Sequence, residues 1–176
     1  MAGMDAPLTP PGWEDSAGRL VRLVDAGGGA VAWVAPEFGA NCVGYAVRRG
    51  EGWAQVLHAE GPEALGAAPT RYGFPLLCPF PGHVLGARYR WAGVEHALPP
   101  NVPGQQRYVH GFAAALPWRV TRVEADSVVA EFATATDLPD RAGSGYPFDV
   151  RLRLTVRLVG GALAVAFEAT NEGAAE

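Results

Sequence analysis

The sequence feature that most constrains the fold is a strict alternation of apolar and polar residues over positions 148–158. Successive side chains of a β-strand point to opposite faces of a sheet, so this pattern predicts a strand with one buried face and one solvated face. The polar positions include Arg151, Arg153 and Arg157. We interpret these arginines as the solvated side of an antiparallel sheet and not as an anion site.

The same alternation returns after a glycine turn, and shorter segments elsewhere also predict strands and hairpins. Gly160 and Gly161 turn the chain, and apolar residues then alternate at Leu163, Val165, Phe167 and Ala169. Further hairpins are predicted over residues 88–98, around Ala92-Gly93, and over residues 119–135. Residues 30–46 and 53–57 hold more strand candidates, and residues 61–68 predict one helical turn. No segment of ten or more residues carries a helical stripe, so the predicted fold class is all-β, an antiparallel β-sandwich.

Length and composition predict one domain without a nucleic-acid or membrane partner. The chain has 176 residues and a net charge of −4, with its arginines dispersed, whereas nucleic acids and anionic membranes require concentrated positive charge. Apolar runs are too short to span a membrane. Residues 1–18 are rich in proline and lack the basic start and apolar centre of a signal peptide. We interpret them as a flexible N-terminal arm before a single domain over 19–176, and expect a cytoplasmic protein.

The candidate site lies in residues 73–118, where prolines, glycines and aromatic residues interrupt the alternation. Standard nucleotide, zinc-protease and hydrolase motifs are absent, and two cysteines predict neither a disulfide framework nor a metal site. His110, beside Gly111, could donate to a ligand oxygen or transfer protons near neutral pH, and a structural role is equally open. Asn101 could bind a ligand hydroxyl or form an Asx turn. His58 and His96 are interpreted as structural.

Three ordered segments together resemble the aldose 1-epimerase (galactose mutarotase-like) family of sugar-ring epimerases. They read GFPLLCPFPGHVLGARYRWAGVEHALPPN, RYVHGFAAALPWRV and YPFDVRLRLTVRLVGGALAVAFEATNEG. The resemblance implies a large supersandwich whose broad face binds a monosaccharide or a related sugar, without a cofactor or a metal. The lack of a basic cluster in the sequence disfavours sugar phosphates.

The resemblance also implies roles for individual residues. His110 matches the first of two active-site histidines, which contact the sugar near its ring oxygen and anomeric centre, and is therefore the predicted catalytic residue. Asn101 matches the asparagine that precedes this motif. His83 stands where many members have a sugar-binding arginine, and Arg71 and Arg88 are hypothesised to substitute for that arginine. The predicted substrate-binding residues are Asn101, His83 and Arg71.

Family members continue beyond a TNEG-like segment to an HPYF-like motif with the second histidine, and later to a glutamate that acts as the base. Neither motif occurs in these 176 residues. We therefore expect a truncated sandwich with uncovered edges, weak or inactive as an epimerase on its own. The alternatives are a non-catalytic carbohydrate-binding or interaction module, and a half-domain completed by homo-oligomerisation or by a C-terminal partner segment.

Overall fold

The computed structural model describes residue 7 and residues 9–174. In this part of the chain, two four-stranded antiparallel sheets and two two-stranded ribbons form. The first sheet has the order β1-β2-β3-β4 and contains β1 (Val21–Val24), β2 (Ala30–Ala35), β3 (Asn41–Arg49) and β4 (Gly52–Leu57). The ribbon strands are β5 (His83–Leu85), β6 (Arg88–Trp91), β7 (Val94–Ala97) and β8 (Arg107–Val109). The second sheet has the order β12-β11-β10-β9 and contains β9 (Arg119–Val123), β10 (Ser127–Ala133), β11 (Val150–Val159) and β12 (Ala162–Asn171).

Helices are short and lie at the margins of the sheets. Two 3-10 segments cover Glu14–Arg19 and Pro36–Phe38. The α-helices are α1 (Pro62–Ala67) and α2 (Thr134–Asp137). The helical turn predicted over residues 61–68 is therefore confirmed. No helix in the described ranges is long and apolar enough to cross a membrane.

The two four-stranded sheets pack face to face, which confirms the predicted β-sandwich. β11 and β12 pair in register from Val150 with Asn171 to Val159 with Ala162. Along β11 the apolar residues Leu152, Leu154, Val156 and Leu158 are buried, and the arginines between them are exposed. These apolar side chains join one core cluster with residues from the first sheet, namely Leu23, Ala30, Ala32, Val34 and Cys42.

The outward arginines of β11 behave as a solvated face. Arg151 pairs with Glu172, Arg153 with Glu131 and Arg157 with Asp126. Each arginine side chain is about half exposed, so each pair contributes little to stability. The interpretation of these arginines as surface residues, made from the alternation, is confirmed.

β2 differs from its neighbours because all six of its residues are buried. Ala30, Ala32 and Val34 face the second sheet, while Val31, Trp33 and Ala35 belong to a separate cluster on the opposite face. That second cluster also contains Trp13 and Leu65. The N-terminal segment and α1 therefore cover the outer face of the first sheet, and β2 lies in both cores.

The predicted arm over residues 1–18 has a packed portion. Residues 1–6 and 8 lie outside the described residues. Farther along, the Trp13 side chain is fully buried, and its Nε1 donates to the Ala59 carbonyl at 3.3 Å. Its ring meets Phe38 edge to face at 6.1 Å. The segment from Pro10 onward therefore packs as part of the domain, because a buried indole anchors it.

β12 forms an edge of the second sheet. No strand among residues 9–174 pairs with its outer side. Leu163 and Val165 are partly buried against the core, but Phe167 is 42% exposed. The strand carries a single charged residue, Glu168. The apolar alternation of β12 thus continues beyond the point where the first sheet covers it.

Candidate functional site

The candidate site is built on the ribbon of β5 and β8, which joins two segments distant in sequence. The register places His83 opposite Val109 and Leu85 opposite Arg107. Because side chains alternate along a strand, His83 and Arg107 share one face of the ribbon. We call this face, together with the adjoining His110 ring, the histidine face.

The opposite face of the ribbon is packed. Val84 and Tyr108 pack with Ala87, Leu98 and Phe80 in a small hydrophobic cluster. Phe80 meets Tyr108 edge to face at 6.2 Å, and burial raises the pKa of the Tyr108 phenol to about 12. Tyr108 is therefore a neutral packing residue near pH 7, and the cluster holds the ribbon in place.

His110 follows β8 in an unusual backbone conformation. Its φ is 65°, in the left-handed region that residues other than glycine seldom occupy. The His110 N–H donates to the Gly82 carbonyl at 2.9 Å. The Nδ1 atom of its ring is buried and has no partner among the described residues, while the residue as a whole is partly exposed. Strain and an unpaired buried atom at one residue are typical of functional positions.

Cys78 holds the chain immediately after His110. Its carbonyl accepts hydrogen bonds from Phe112 N–H at 3.0 Å and Ala113 N–H at 3.1 Å, and Cys78 forms a bridge with Gly111. Burial raises the pKa of the Cys78 thiol to about 11. Since the thiolate is the reactive form, Cys78 serves here as a backbone anchor and not as a nucleophile.

His83 and His110 are brought together, and their ring centroids are 6.2 Å apart. Arg107, which the sequence did not single out, joins them: its Nη1 lies 3.0 Å from His83 Nδ1. The Nε atom of Arg107 is buried without a partner in the described structure. The one signal in the sequence that pointed to Arg107 was its spacing. It lies two residues before Val109, so in a strand the two side chains lie on the same face. The pairing partner of that strand was not evident from sequence.

Asn101 also reaches β8, but through the backbone. Its side-chain Nδ2 donates to the Val109 carbonyl at 2.8 Å, and its Oδ1 accepts from the Val109 N–H at 2.7 Å. The amide therefore satisfies Val109 as a neighbouring strand would. Both bonds run to Val109, eight residues farther along the chain, so the side chain forms a cross-chain backbone contact and not the Asx turn considered from sequence.

We expect Asn101→Ala to loosen the end of β8, because the variant leaves both backbone groups of Val109 without these bonds. The exchange rate of the Val109 amide hydrogen should rise at least about tenfold, equivalent to about 1.4 kcal/mol of lost protection. Hydrogen exchange followed by NMR measures this rate. Gln105→Ala, at an exposed position in the preceding loop, is the control and should leave the rate unchanged. Equal rates in wild type and Asn101→Ala would show that the amide does not hold β8.

The two other arginines considered from sequence lie elsewhere. Arg71 is exposed, and its backbone N–H donates to the Ala68 carbonyl at 3.0 Å. Among the described residues, no hydrogen bond, ion pair or ring contact joins Arg71 to His83, Asn101 or His110. Arg88 pairs with Glu95 at 2.6 Å across the β6–β7 ribbon. Neither arginine forms a hydrogen bond with His83 as Arg107 does.

An aromatic groove lies next to this region, between β6 and the beginning of β11. Its apolar lining includes Tyr89, Trp91 and Phe148, and its volume is about 590 Å³. Trp91 is 57% exposed and meets Phe148 edge to face at 6.0 Å. His96 stacks on Tyr89, its partner across the ribbon, at 4.9 Å. This cross-strand contact agrees with the interpretation of His96 as a structural residue.

The described residues contain no candidate set of metal ligands. No group of three or more His, Cys, Asp or Glu side chains among the described residues is arranged to hold a metal ion. The polar atoms of the histidine face come from two imidazoles and a guanidinium, and proton transfer and hydrogen bonding are the chemistry these groups provide.

The sequence matches a known family over nearly all of its length. The family profile described as aldose 1-epimerase matches residues 19–176. The chain belongs to the aldose 1-epimerase family. This confirms the resemblance drawn from the three sequence segments.

Individual relatives agree on the fold and differ from the chain in length. The chain is 30% identical over 109 residues to the uncharacterized protein YphB of Escherichia coli K12, covering 62% of the chain and 34% of YphB. The solved GalM/aldose epimerase homologue from C. elegans is similar with a TM-score of 0.71 and 18% identity, covering 87% of this chain and 46% of that one. A galactose mutarotase-like protein from Clostridium acetobutylicum gives a TM-score of 0.67 at 19% identity, covering 86% and 48%.

The 176 residues therefore span about a third of the curated relative and about half of these solved structures. The likeness to the solved structures supports the galactose mutarotase-like β-sandwich fold. Members of the aldose 1-epimerase family act on sugars, and the family assignment is the basis for the functional proposal below.

Proposed function

We propose that the histidine face binds a monosaccharide or a sugar derivative and that His110 is the acid of an anomer-exchange reaction. The observation that carries this proposal is the conformation of His110, which is left-handed, bonded to Gly82 and held next to Cys78, in a partly exposed residue whose Nδ1 atom is buried and unpaired. A backbone fixed in this way presents one ring nitrogen to a ligand in a constant position.

The chemistry required is modest. An anomer changes when the bond between the anomeric carbon and the ring oxygen breaks, the ring oxygen gains a proton, and the anomeric hydroxyl loses one. Closure on the other face of the resulting aldehyde gives the second anomer. Imidazole is suited to the protonation because its usual pKa lies near neutral pH. His110 is the group assigned to the ring oxygen, and His83 is assigned to binding.

One observation favours a second candidate, sugar binding without catalysis. Among the described residues, no carboxylate forms a hydrogen bond or an ion pair with His83, Arg107 or His110. The proposed reaction needs a base on the anomeric hydroxyl as well as an acid, and general acid–base groups each contribute about 10²- to 10⁴-fold. The histidine face alone then acts as a binding site with little turnover.

Completion of the sandwich by further protein is part of this proposal. The outer edge of β12 and the 42% exposed Phe167 support it, because an unpaired apolar strand edge favours pairing with another strand. A second copy or a further segment could provide both that strand and the missing base. We place the protein in the cytoplasm as an expectation of the same proposal.

The test uses His110→Asn, because asparagine also tolerates the left-handed backbone and lacks the imidazole. Anomer exchange of freshly dissolved α-glucose and α-galactose is followed by NMR, and binding by shifts of the histidine ring signals. We expect both sugars to shift the His110 signal in wild type. Exchange or binding should be lost in His110→Asn and retained in His58→Asn, the control at an exposed histidine.

Three outcomes separate the candidates. Exchange above the buffer rate that depends on His110 supports the epimerase. Saturable binding that depends on His110 without exchange supports the binding module. If no sugar binds and none is interconverted, both candidates are wrong.

A further inference from the structure

Arg107 is a partly buried cation without a carboxylate partner in the described part of the chain. Eight other arginines form ion pairs with Asp or Glu, and each of these eight arginine side chains is at least 36% exposed. The Nε atom of Arg107 is buried and unpaired, and Nη1 lies against His83. Arg107 is partly buried and its contact with His83 is exposed, so the charge keeps part of its hydration, but the buried Nε atom has lost water without gaining a partner. At this position the protein supplies a single hydrogen bond.

The hydrogen bond between Arg107 and His83 fixes the state of the imidazole. A guanidinium can only donate, so Nδ1 of His83 accepts and the neutral ring carries its proton on Nε2. Both His83 Nε2 and the remaining Arg107 nitrogen, Nη2, are therefore donors without a protein partner among the described residues. The His110 ring lies 6.2 Å from the His83 ring on the same face. The histidine face offers donors and positive charge, and no carboxylate bonds to these side chains.

We propose that Arg107 Nη2 and His83 Nε2 bind a negatively charged oxygen group of the sugar, so that the site prefers sugar phosphates or sugar carboxylates to neutral aldoses. This inference rests on the proposed sugar-binding function and specifies its substrate class. An anionic oxygen supplies the counter-charge that Arg107 lacks, and charge-assisted hydrogen bonds are stronger than those to a hydroxyl. Arg107 is then a specificity-determining residue.

The fold explains why the sequence indicated the opposite. The chain has no run of basic residues, and this disfavoured sugar phosphates. Arg107 and His83 are separated by 24 positions and meet because β5 and β8 pair. The register of the ribbon places the Arg107 guanidinium beside His83 from the other strand.

The experiment compares four probes on the 176-residue chain: glucose, glucose 6-phosphate, glucuronate and inorganic phosphate. Affinities are measured from shifts of the His83 and His110 ring signals. We expect one or both acidic sugars to bind at least about tenfold more tightly than glucose, as one charge-assisted bond implies. In Arg107→Gln this preference should fall below about twofold. The matched control is Arg90→Gln, which removes the same charge from an exposed position on β6 and should keep the preference.

The pattern of results decides between the possible ligands. A preference for glucose 6-phosphate alone identifies a phosphate-bearing sugar, and a preference for glucuronate alone identifies a carboxylate-bearing sugar. Equal binding of glucose and both acidic sugars contradicts the inference while leaving the proposed function intact. An equal loss in Arg107→Gln and Arg90→Gln indicates general electrostatics and also contradicts it. Inorganic phosphate that binds as tightly as glucose 6-phosphate shows that the sugar is not recognised.

Discussion

The Gly111→Ala variant should lose about 3 to 4 kcal/mol of unfolding free energy, from left-handed strain and from overpacking together. Gly111 has a φ of +72°, and a Cβ built on it would lie 2.1 Å from the Cys78 carbonyl oxygen. That neighbour is backbone, so a side-chain rotation cannot relieve the overlap. The two chain segments must separate, and the hydrogen bonds from Phe112 and Ala113 to Cys78 are the first contacts to be lost.

Gly104→Ala is a matched control for this effect. Gly104 has a φ of +69°, nearly the same conformation, but no atom lies within 4 Å of its added Cβ. Its cost should be the left-handed strain alone, about 1 to 2 kcal/mol. Denaturant unfolding measures both values, and the His110 ring signal reports whether the site moves. Equal losses in the two variants would show that the approach of Gly111 to Cys78 does not constrain the site.

The Trp13→Ala variant should lose about 3 to 5 kcal/mol, the range for truncating a large buried aromatic residue. The indole is fully buried, packs against Phe38 and donates to the Ala59 carbonyl. Its removal leaves a cavity on the outer face of the first sheet and an unpaired carbonyl. Thermal and denaturant unfolding with a tryptophan-independent probe, such as far-ultraviolet circular dichroism, measure the loss.

Trp91→Ala provides the comparison, because it deletes the same side chain where it is 57% exposed. Its cost should stay below about 1 kcal/mol. If Trp13→Ala were no more destabilising than Trp91→Ala, the N-terminal segment would behave as the flexible arm predicted from the sequence. A large difference would make residues from Pro10 onward part of the folded domain.

The hairpin of the second sheet could be predicted from sequence because β11 and β12 have ten residues each and their apolar residues alternate. Over residues 148–169 the alternation specifies the side that faces the core, and the structure pairs β11 with β12 across Gly160 and Gly161 as expected. A shift by one residue would turn every apolar side chain to solvent, so the register is also specified locally.

The site could be predicted in part. His110 and His83 were identified, and the structure places their rings together. Arg107 was missed because β5 and β8 have three residues each, too few for a recognisable alternation, and their pairing is non-local. Arg71, selected for being near the motif in sequence, forms no hydrogen bond or ion pair with either histidine in the described part of the chain, and its role stays a prediction. Trp13 was overlooked because the prolines around it resemble a loose segment, although an isolated tryptophan in such a segment is itself a sign of anchoring.

The double burial of β2 has a consequence for how the domain loses its structure. Val34 packs in the core between the sheets, and its neighbours Trp33 and Ala35 pack under the N-terminal segment and α1. Neither hydrophobic cluster can open along this strand without exposing the other. The domain should therefore behave as one cooperative unit, in which a defect on its outer face is transmitted to the sandwich that supports the histidine face.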